Sequence, residues 1–303
     1  MFNQYFGNYL LEKKIITPEQ LRIVLEEKKS IKVKLGVLAI DAGYMNAEQV
    51  NRIHKLQTAR DKKFGELAID EGYLTEEMLD NLLKEQRKSN VLLGQVLIEK
   101  GFFTFEKYEA VLLQYNEDSE FSLDEIKALK NNDAREIAGI FLKAADDSND
   151  MFHNYLELFI RNLVRFIDDE IKMEAAKEID SYVFDHFITQ RMEAEAGRHH
   201  LFTGFTGSEN TLARFASIYA AEECNGMDDL AKDSLKEFMN CQNGLFLSNL
   251  SHKGVEMELY LSEVKENGTL KATKKMYMIP CNLSFGRINL VFSDEFPNMS
   301  FSN

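Results

Sequence analysis

The 303-residue chain contains no tryptophan, only 3 prolines and only 3 cysteines. Scarce proline excludes a proline-rich, extended architecture. Cys224, Cys241 and Cys281 are too few and too scattered for a disulfide framework, which points to a reducing compartment. No apolar run approaches the roughly 18 residues that a membrane-spanning helix needs, so the chain is not expected to insert into a membrane. The opening MFNQYFGNYLLEKK lacks the basic, apolar and small-residue layout of a secretory signal. The expectation is a soluble, cytoplasmic protein. Hydrophobic residues at 45% supply ample material for packed cores, and the length suits about two domains.

Charge is unevenly distributed. Residues 1–116 balance 17 Lys+Arg against 17 Asp+Glu, so the remainder carries the whole net charge of −14. An acidic half of this kind repels a phosphate backbone, which argues against a nucleic-acid partner.

The first third is repetitive. Gly7, Gly36, Gly65 and Gly94 stand 29 residues apart. A second glycine follows seven places later in three copies (Gly43, Gly72, Gly101), with Lys14 in its place in the first. Thr17, Asn46, Thr75 and Thr104 come ten places after the first glycine. Each copy reads as a short helix (such as 37–42) stopped at the second glycine, then a second helix capped by Thr or Asn. Glu19, Glu48, Glu77 or Glu106 falls in the first turn of that second helix, and Pro18 suits its first position. Residues 1–116 are therefore expected to form an all-α domain of four 29-residue repeats.

This pattern resembles the MshEN-type N-terminal domain of type II secretion and pilus ATPases. It is carried by Lys34-Leu35-Gly36, Ala39-Ile40, Gly43, Tyr44-Met45, Val50 and Gln57. Lys63-Phe64-Gly65, Ala68-Ile69, Gly72, Tyr73-Leu74, Leu79, Leu83 and Gln86 carry it again, with lysine where that family has arginine. Some members bind cyclic di-GMP, so the resemblance implies that nucleotide as a candidate ligand. Packing alone also accounts for a glycine-and-leucine repeat, as in a docking or assembly module.

Residues 117–150 are acidic and read as a linker, with a connecting helix within 123–143. Residues 151–303 are expected to be an α+β domain. The pattern predicts helices over 151–171, from about 210 through Tyr219, and over 227–250. It predicts strands over 182–190 and 199–206, an alternation from Val255 to Leu261, and strands near 272–280 and 284–293 joined at Ser284-Phe285-Gly286.

The helix DLAKDSLKEFMNCQNGLFLSNLS carries the chemistry. At 100° per residue Asp233, Glu237, Asn240, Gly244 and Ser248 fall within roughly 80° of one another. Leu235, Phe238, Met239, Leu245, Phe246 and Leu250 are expected on the core side. A carboxylate and a carboxamide then stand one turn apart beside a glycine that leaves room for approach.

That stripe resembles the phosphatase motif of the CheC/CheX/FliY chemotaxis family: Asp or Ser, three residues, Glu, two residues, Asn. Asp233, Glu237 and Asn240 fill it. The resemblance implies a CheX-like domain that removes phosphate from a phosphorylated, CheY-like response-regulator receiver in two-component signalling. Asn240 would align the attacking water, Glu237 would pair with the receiver's lysine, and Asp233 would support them. Gly244 and Ser248 would lie against the partner. The receiver would bring its own Mg²⁺, leaving this chain with no cofactor of its own. Strand-mediated homodimers are known in such families, so a homodimer is a candidate assembly. The alternative is a non-catalytic adaptor that binds a receiver or assembles a complex.

A second copy of the motif would fall in the 151–171 helix, where Glu157 is suitably placed. Position 160 is Ile, however, and Asn162 is out of register, so one site is expected. His199 and His200 are adjacent on a predicted strand and face opposite sides. His54, His153, His186 and His252 lack metal-ligand spacing. Cys241 adjoins Asn240 but has no base nearby in sequence, as a structural thiol would.

Overall fold

The computed structural model describes residues 1–27, 34–59, 62–87, 93–143, 145, 150–194 and 200–301. The chain divides into two compact units, Phe2–Ile126 and Lys127–Asn303.

The first unit is helical. Its elements are α1 (Phe2–Glu12), α2 (Pro18–Glu27), α3 (Leu35–Asp41), α4 (Ala47–Ala59), α5 (Phe64–Asp70), α6 (Glu76–Arg87), α7 (Leu93–Glu99) and α8 (Phe105–Asp118). The chain turns after α1, α3, α5 and α7 in the same way. Lys14, Gly43, Gly72 and Gly101 take φ of +56°, +69°, +75° and +72°. At each, one amide reaches back to close the turn: Lys14 N to Leu11 O, Gly43 N to Ile40 O, Gly72 N to Ile69 O, Gly101 N to Ile98 O. The next amide (Ile15, Tyr44, Tyr73, Phe102) bonds one residue further back, to Leu10, Ala39, Ala68 and Leu97 O. Paired bonds of this kind satisfy carbonyls left free at a helix end. The Thr/Asn caps then start the next helix. Thr17 Oγ1, Asn46 Oδ1, Thr75 Oγ1 and Thr104 Oγ1 accept from the amides of Gln20, Gln49, Met78 and Lys107.

The other glycines serve close packing. A Cβ on Gly36 would lie 2.8 Å from Val50 Cγ1, on Gly65 2.6 Å from Leu79 Cδ1, and on Gly94 2.1 Å from the Tyr108 ring. Tyr108 cannot give way easily, being 1% exposed and donating to Asp41 Oδ1 at 3.2 Å. Lys14 is the one helix stop of the four held left-handed without glycine, a conformation that costs an L-residue roughly 1–2 kcal/mol. Lys14→Gly is therefore expected to raise stability by about 0.5–1 kcal/mol, read as a higher denaturant midpoint at unchanged slope.

The 117–150 segment carries the end of α8, then α9 (Leu123–Asn131) and α10 (Ala134–Phe141), and the unit boundary falls inside α9. The second unit continues with α11 (Met151–Phe166), β1 (Lys172–Met173), β2 (Lys177–Glu178), β3 (Ser181–Ala194), β4 (His200–Gly207), α12 (Glu209–Ala220) and α13 (Asp229–Ser251). It ends with β5 (Met257–Leu259), β6 (Glu263–Lys271), β7 (Met276–Leu283), β8 (Gly286–Ser293) and β9 (Asn298–Phe301). The strands form one antiparallel sheet in the order β1-β7-β8-β4-β3-β6-β9, with β2 on β7 and β5 on β3. Helices α11, α12 and α13 pack on it and on one another through rings, among them Phe205–Phe215 (5.3 Å), Phe205–Phe238 (5.9 Å) and Phe152–Phe292 (4.7 Å) against the sheet and Phe159–Phe238 (6.1 Å) between helices. A further apolar cluster joins Phe184, Phe187, Phe202, Leu270, Met276 and Val291.

Several sequence expectations need correction. The helix predicted over 151–171 stops at Phe166. Consecutive Asp168, Asp169 and Glu170 oppose the negative end of a helix dipole, and Asp168 Oδ2 instead accepts from Ser284 N at 2.6 Å. The 255–261 alternation yields only β5, and Leu261 is 89% exposed. The strand placed at 272–280 begins at Met276. Besides β4 and β5, β3 pairs with β6, a strand that the sequence pattern does not predict. Its EVKENGTLK run is charged and holds a glycine, but Gly268 faces Phe184 across the ladder, whose ring covers the missing side chain at 2.5 Å. His199 lies outside the described residues; His200 opens β4 and is half-buried.

Candidate functional site

Helix α13 is long because its start is well capped and its inner face well packed. Asp228 Oδ1 accepts from Ala231 N at 2.8 Å and its Oδ2 from Asn225 N at 2.9 Å. These backbone donors hold the Asp228 carboxyl below the usual carboxylate range. Inward, Ala231, Leu235, Phe238, Met239 and Phe246 are each 0–1% exposed. Leu245, expected among them, is instead 45% exposed. It lies about 100° round the helix from Gly244, at the border of the buried stripe.

The opposite stripe faces outward. Asp233 and Glu237 are exposed, Asn240 and Gly244 half-buried, and Ser248 exposed. Asp233 pairs with Lys236 at 2.6 Å, and its side chain is 73% exposed, so that contact is weak and easily exchanged. Glu237 makes no ion pair among the described residues. Beside Gly244 an added Cβ would meet nothing within 4 Å, so this glycine is not needed for internal packing. Tyr219 on α12 lies next to Glu237 and Cys241. Burial, with the Cys241 and Glu237 side chains beside it, pushes its phenol up to about 12.

Asn240 differs from the others because its side chain is held from behind. Gln190 on β3, 2% exposed, donates through Nε2 to Asn240 Oδ1 at 2.9 Å and to the Tyr260 carbonyl at 2.7 Å. Gln190 Oε1 accepts from Asn243 Nδ2 at 2.9 Å, and the same Nδ2 lies 3.1 Å from Thr203 Oγ1. Asn243 Oδ1 in turn accepts from the Tyr155 hydroxyl at 2.9 Å. Burial drives that phenol's pKa well up, so it stays a neutral donor. Asn162 on α11 donates to Gln242 Oε1 at 2.7 Å inside the same layer and is 5% exposed, and Glu157 pairs with Arg161 at 3.3 Å. Of the α11 residues considered for a second motif, Asn162 is thus spent on the fold, and Glu157 sits in an i,i+4 surface pair. Gln190, Asn243, Tyr155 and Tyr260 were not singled out in the sequence, since they converge on Asn240 only through the sheet.

No other chemistry of comparable definition stands out among the described residues. Among the described residues there is no group of three or more His, Cys, Asp or Glu side chains placed to hold a metal. No helix among them is long and apolar enough to cross a membrane.

No protein-family model and no curated protein matches this chain. Solved structures do show similarity over about half of it. A CheC-like superfamily protein from Shewanella sp. PV-4 aligns with TM-score 0.43 and 17% identity, over 48% of this chain and 97% of that one. The chemotaxis protein CheX from Desulfovibrio desulfuricans aligns with TM-score 0.40 and 13% identity, over 48% and 99%. A chain of the CheX–CheY–BeF3–Mg complex from Borrelia burgdorferi aligns with TM-score 0.39 and 17% identity, over 48% and 97%.

Proposed function

We propose that the second unit is a phosphatase for the aspartyl phosphate of a response-regulator receiver, docking through the outer face of α13. The observation that carries this reading is the presentation of Glu237 and Asn240. They lie one turn apart on one outward stripe, with Glu237 unpaired among the described residues and open space beside Gly244. The spacing Asp233, Glu237, Asn240 also matches the motif of the CheC/CheX/FliY phosphatases.

The chemistry asks little of the protein. An acyl phosphate is already activated, so a positioned water and stabilised charge suffice. The water oxygen forms a bond to phosphorus as the bond to the receiver's aspartyl oxygen breaks. The electron pair leaves on the restored carboxylate, and the water's protons stay with the departing phosphate. Asn240 holds the water in line. Glu237 pairs with a receiver lysine and sets the orientation of docking. The receiver supplies Mg²⁺. The helical unit, whose Gly36, Gly65 and Gly94 are covered from within by Val50, Leu79 and Tyr108, localises or regulates the phosphatase as a docking module.

Phosphate release from a panel of phosphorylated receivers tests the reading, with wild type, Glu237→Ala and Asn240→Ala compared. The expected result is acceleration of at least one receiver by wild type, lost in both variants. Binding of a receiver with no acceleration would replace the enzyme with an adaptor.

A further inference from the structure

An aspartyl-phosphate phosphatase that relies on one carboxamide must control which end of that carboxamide faces the substrate. The two ends differ in chemistry, since Oδ1 only accepts and Nδ2 only donates. On an isolated helix surface the group would turn freely between them.

Here the hydrogen bonds leave no choice. The Tyr260 backbone carbonyl can only accept, so the Gln190 atom 2.7 Å from it must be the Nε2 donor. The same Nε2 lies 2.9 Å from Asn240, so the Asn240 atom facing it must be the acceptor, Oδ1. Gln190 cannot reverse, because its other end accepts from Asn243 Nδ2. Asn243 cannot reverse either, because Gln190 Oε1 only accepts and needs the Nδ2 donor facing it; the Tyr155 and Thr203 hydroxyls, which can donate or accept, follow that orientation. Gln190, Asn243, Thr203 and Tyr155 are each 0–2% exposed, so water does not compete for these bonds. Asn240 Nδ2 has no partner among the described residues.

We propose that Gln190 is a positioning residue, locking the Asn240 carboxamide with Oδ1 inward and Nδ2 outward, so that Asn240 meets its ligand as a hydrogen-bond donor. This rests on the phosphatase reading above. The outward N–H donates to a lone pair of the attacking water. That bond holds the oxygen in place, leaves its second lone pair for phosphorus and turns both water protons toward other acceptors. An unlocked carboxamide would present its oxygen for part of the time and grip the water through a proton, which aims the oxygen differently. The anchor is rigid because Gln190 sits in the ladder directly opposite Thr203, while Tyr260 N is bonded to Arg191 O.

Two readouts on the full chain separate this from a merely structural role. The first is side-chain amide hydrogen exchange by NMR, with ¹⁵N-labelled Gln and Asn. In wild type the Gln190 Nε2 protons should be protected while the Asn240 Nδ2 protons exchange at solvent rates. In Gln190→Glu the buried acid keeps a single proton, which goes to the Tyr260 carbonyl, so toward Asn240 it presents only an acceptor; Asn240 should turn and its Nδ2 protons should become protected. The second is a kinetic split on a responsive phosphorylated receiver. Gln190→Glu should lower kcat by about tenfold or more with KM within about threefold, because docking through Glu237 is unchanged. Protected Asn240 Nδ2 protons in wild type would overturn the lock without recourse to any variant. Wild-type kcat in a Gln190→Glu protein whose carboxamide has turned would overturn its role in the reaction. If wild type accelerates no receiver, the phosphatase reading fails and the catalytic meaning of the lock with it, and the exchange pattern still decides the lock itself.

Discussion

Asn240→Ala is expected to slow phosphate loss from a bound phosphorylated receiver by about 100-fold or more, the usual scale for losing one well-placed polar group at a reacting centre. Binding should change little, because alanine keeps the helix and removes no charge from the docking stripe. The loss should therefore appear in kcat rather than in KM. The buried layer should survive as well. Gln190 Nε2 keeps the Tyr260 carbonyl as an acceptor when Asn240 Oδ1 is removed, so the unfolding midpoint should stay close to that of wild type. A variant that unfolds early and loses binding and turnover together would show that Asn240 serves the fold instead.

Asn243→Ala should have the largest effect on stability. Asn243 is fully buried and satisfies three groups at once: the Tyr155 hydroxyl, Gln190 Oε1 and Thr203 Oγ1. Alanine strands the first two in a layer closed to water, at about 1–3 kcal/mol for each buried group left unmade. The total should reach about 3 kcal/mol or more. For a unit of this size that is a fall in melting temperature of roughly 6–12 °C, measured by thermal unfolding. Gln190 keeps the Tyr260 carbonyl as acceptor, so the Asn240 orientation should survive in the same variant. A melting temperature within a degree or two of wild type would mean that the layer rearranges at no cost.

The contrast between these two neighbouring asparagines explains what could be read in the sequence. The outward stripe of α13 was legible because helical periodicity alone separates Asp233, Glu237 and Asn240 from Leu235, Phe238 and Met239. Turn chemistry was legible for the same local reason: glycine stops at 43, 72 and 101, and Thr or Asn starts three residues later. Leu245 was misjudged because a border residue of a helix is settled by what the neighbouring layer covers. Strand β6 was missed because Asn267-Gly268 and four charged residues read as a loop, and only the ring of Phe184 across the ladder makes the glycine a good strand residue. The Gln190–Asn240 bond spans 50 positions. Gln190 and Asn243 read as ordinary polar residues until the sheet and helix bring them together, and no spacing rule connects them.

Single-turnover phosphate loss from a phosphorylated receiver held at saturating concentrations of this protein, with wild type beside Asn240→Ala, tests the proposed phosphatase most directly. The prediction is a rate well above that of the receiver alone with wild type, and a rate about 100-fold or more below wild type with the variant, or at the receiver's own rate if that is faster, at equal occupancy. Equal rates for wild type and variant, or a saturated wild-type complex no faster than the free receiver, would contradict it.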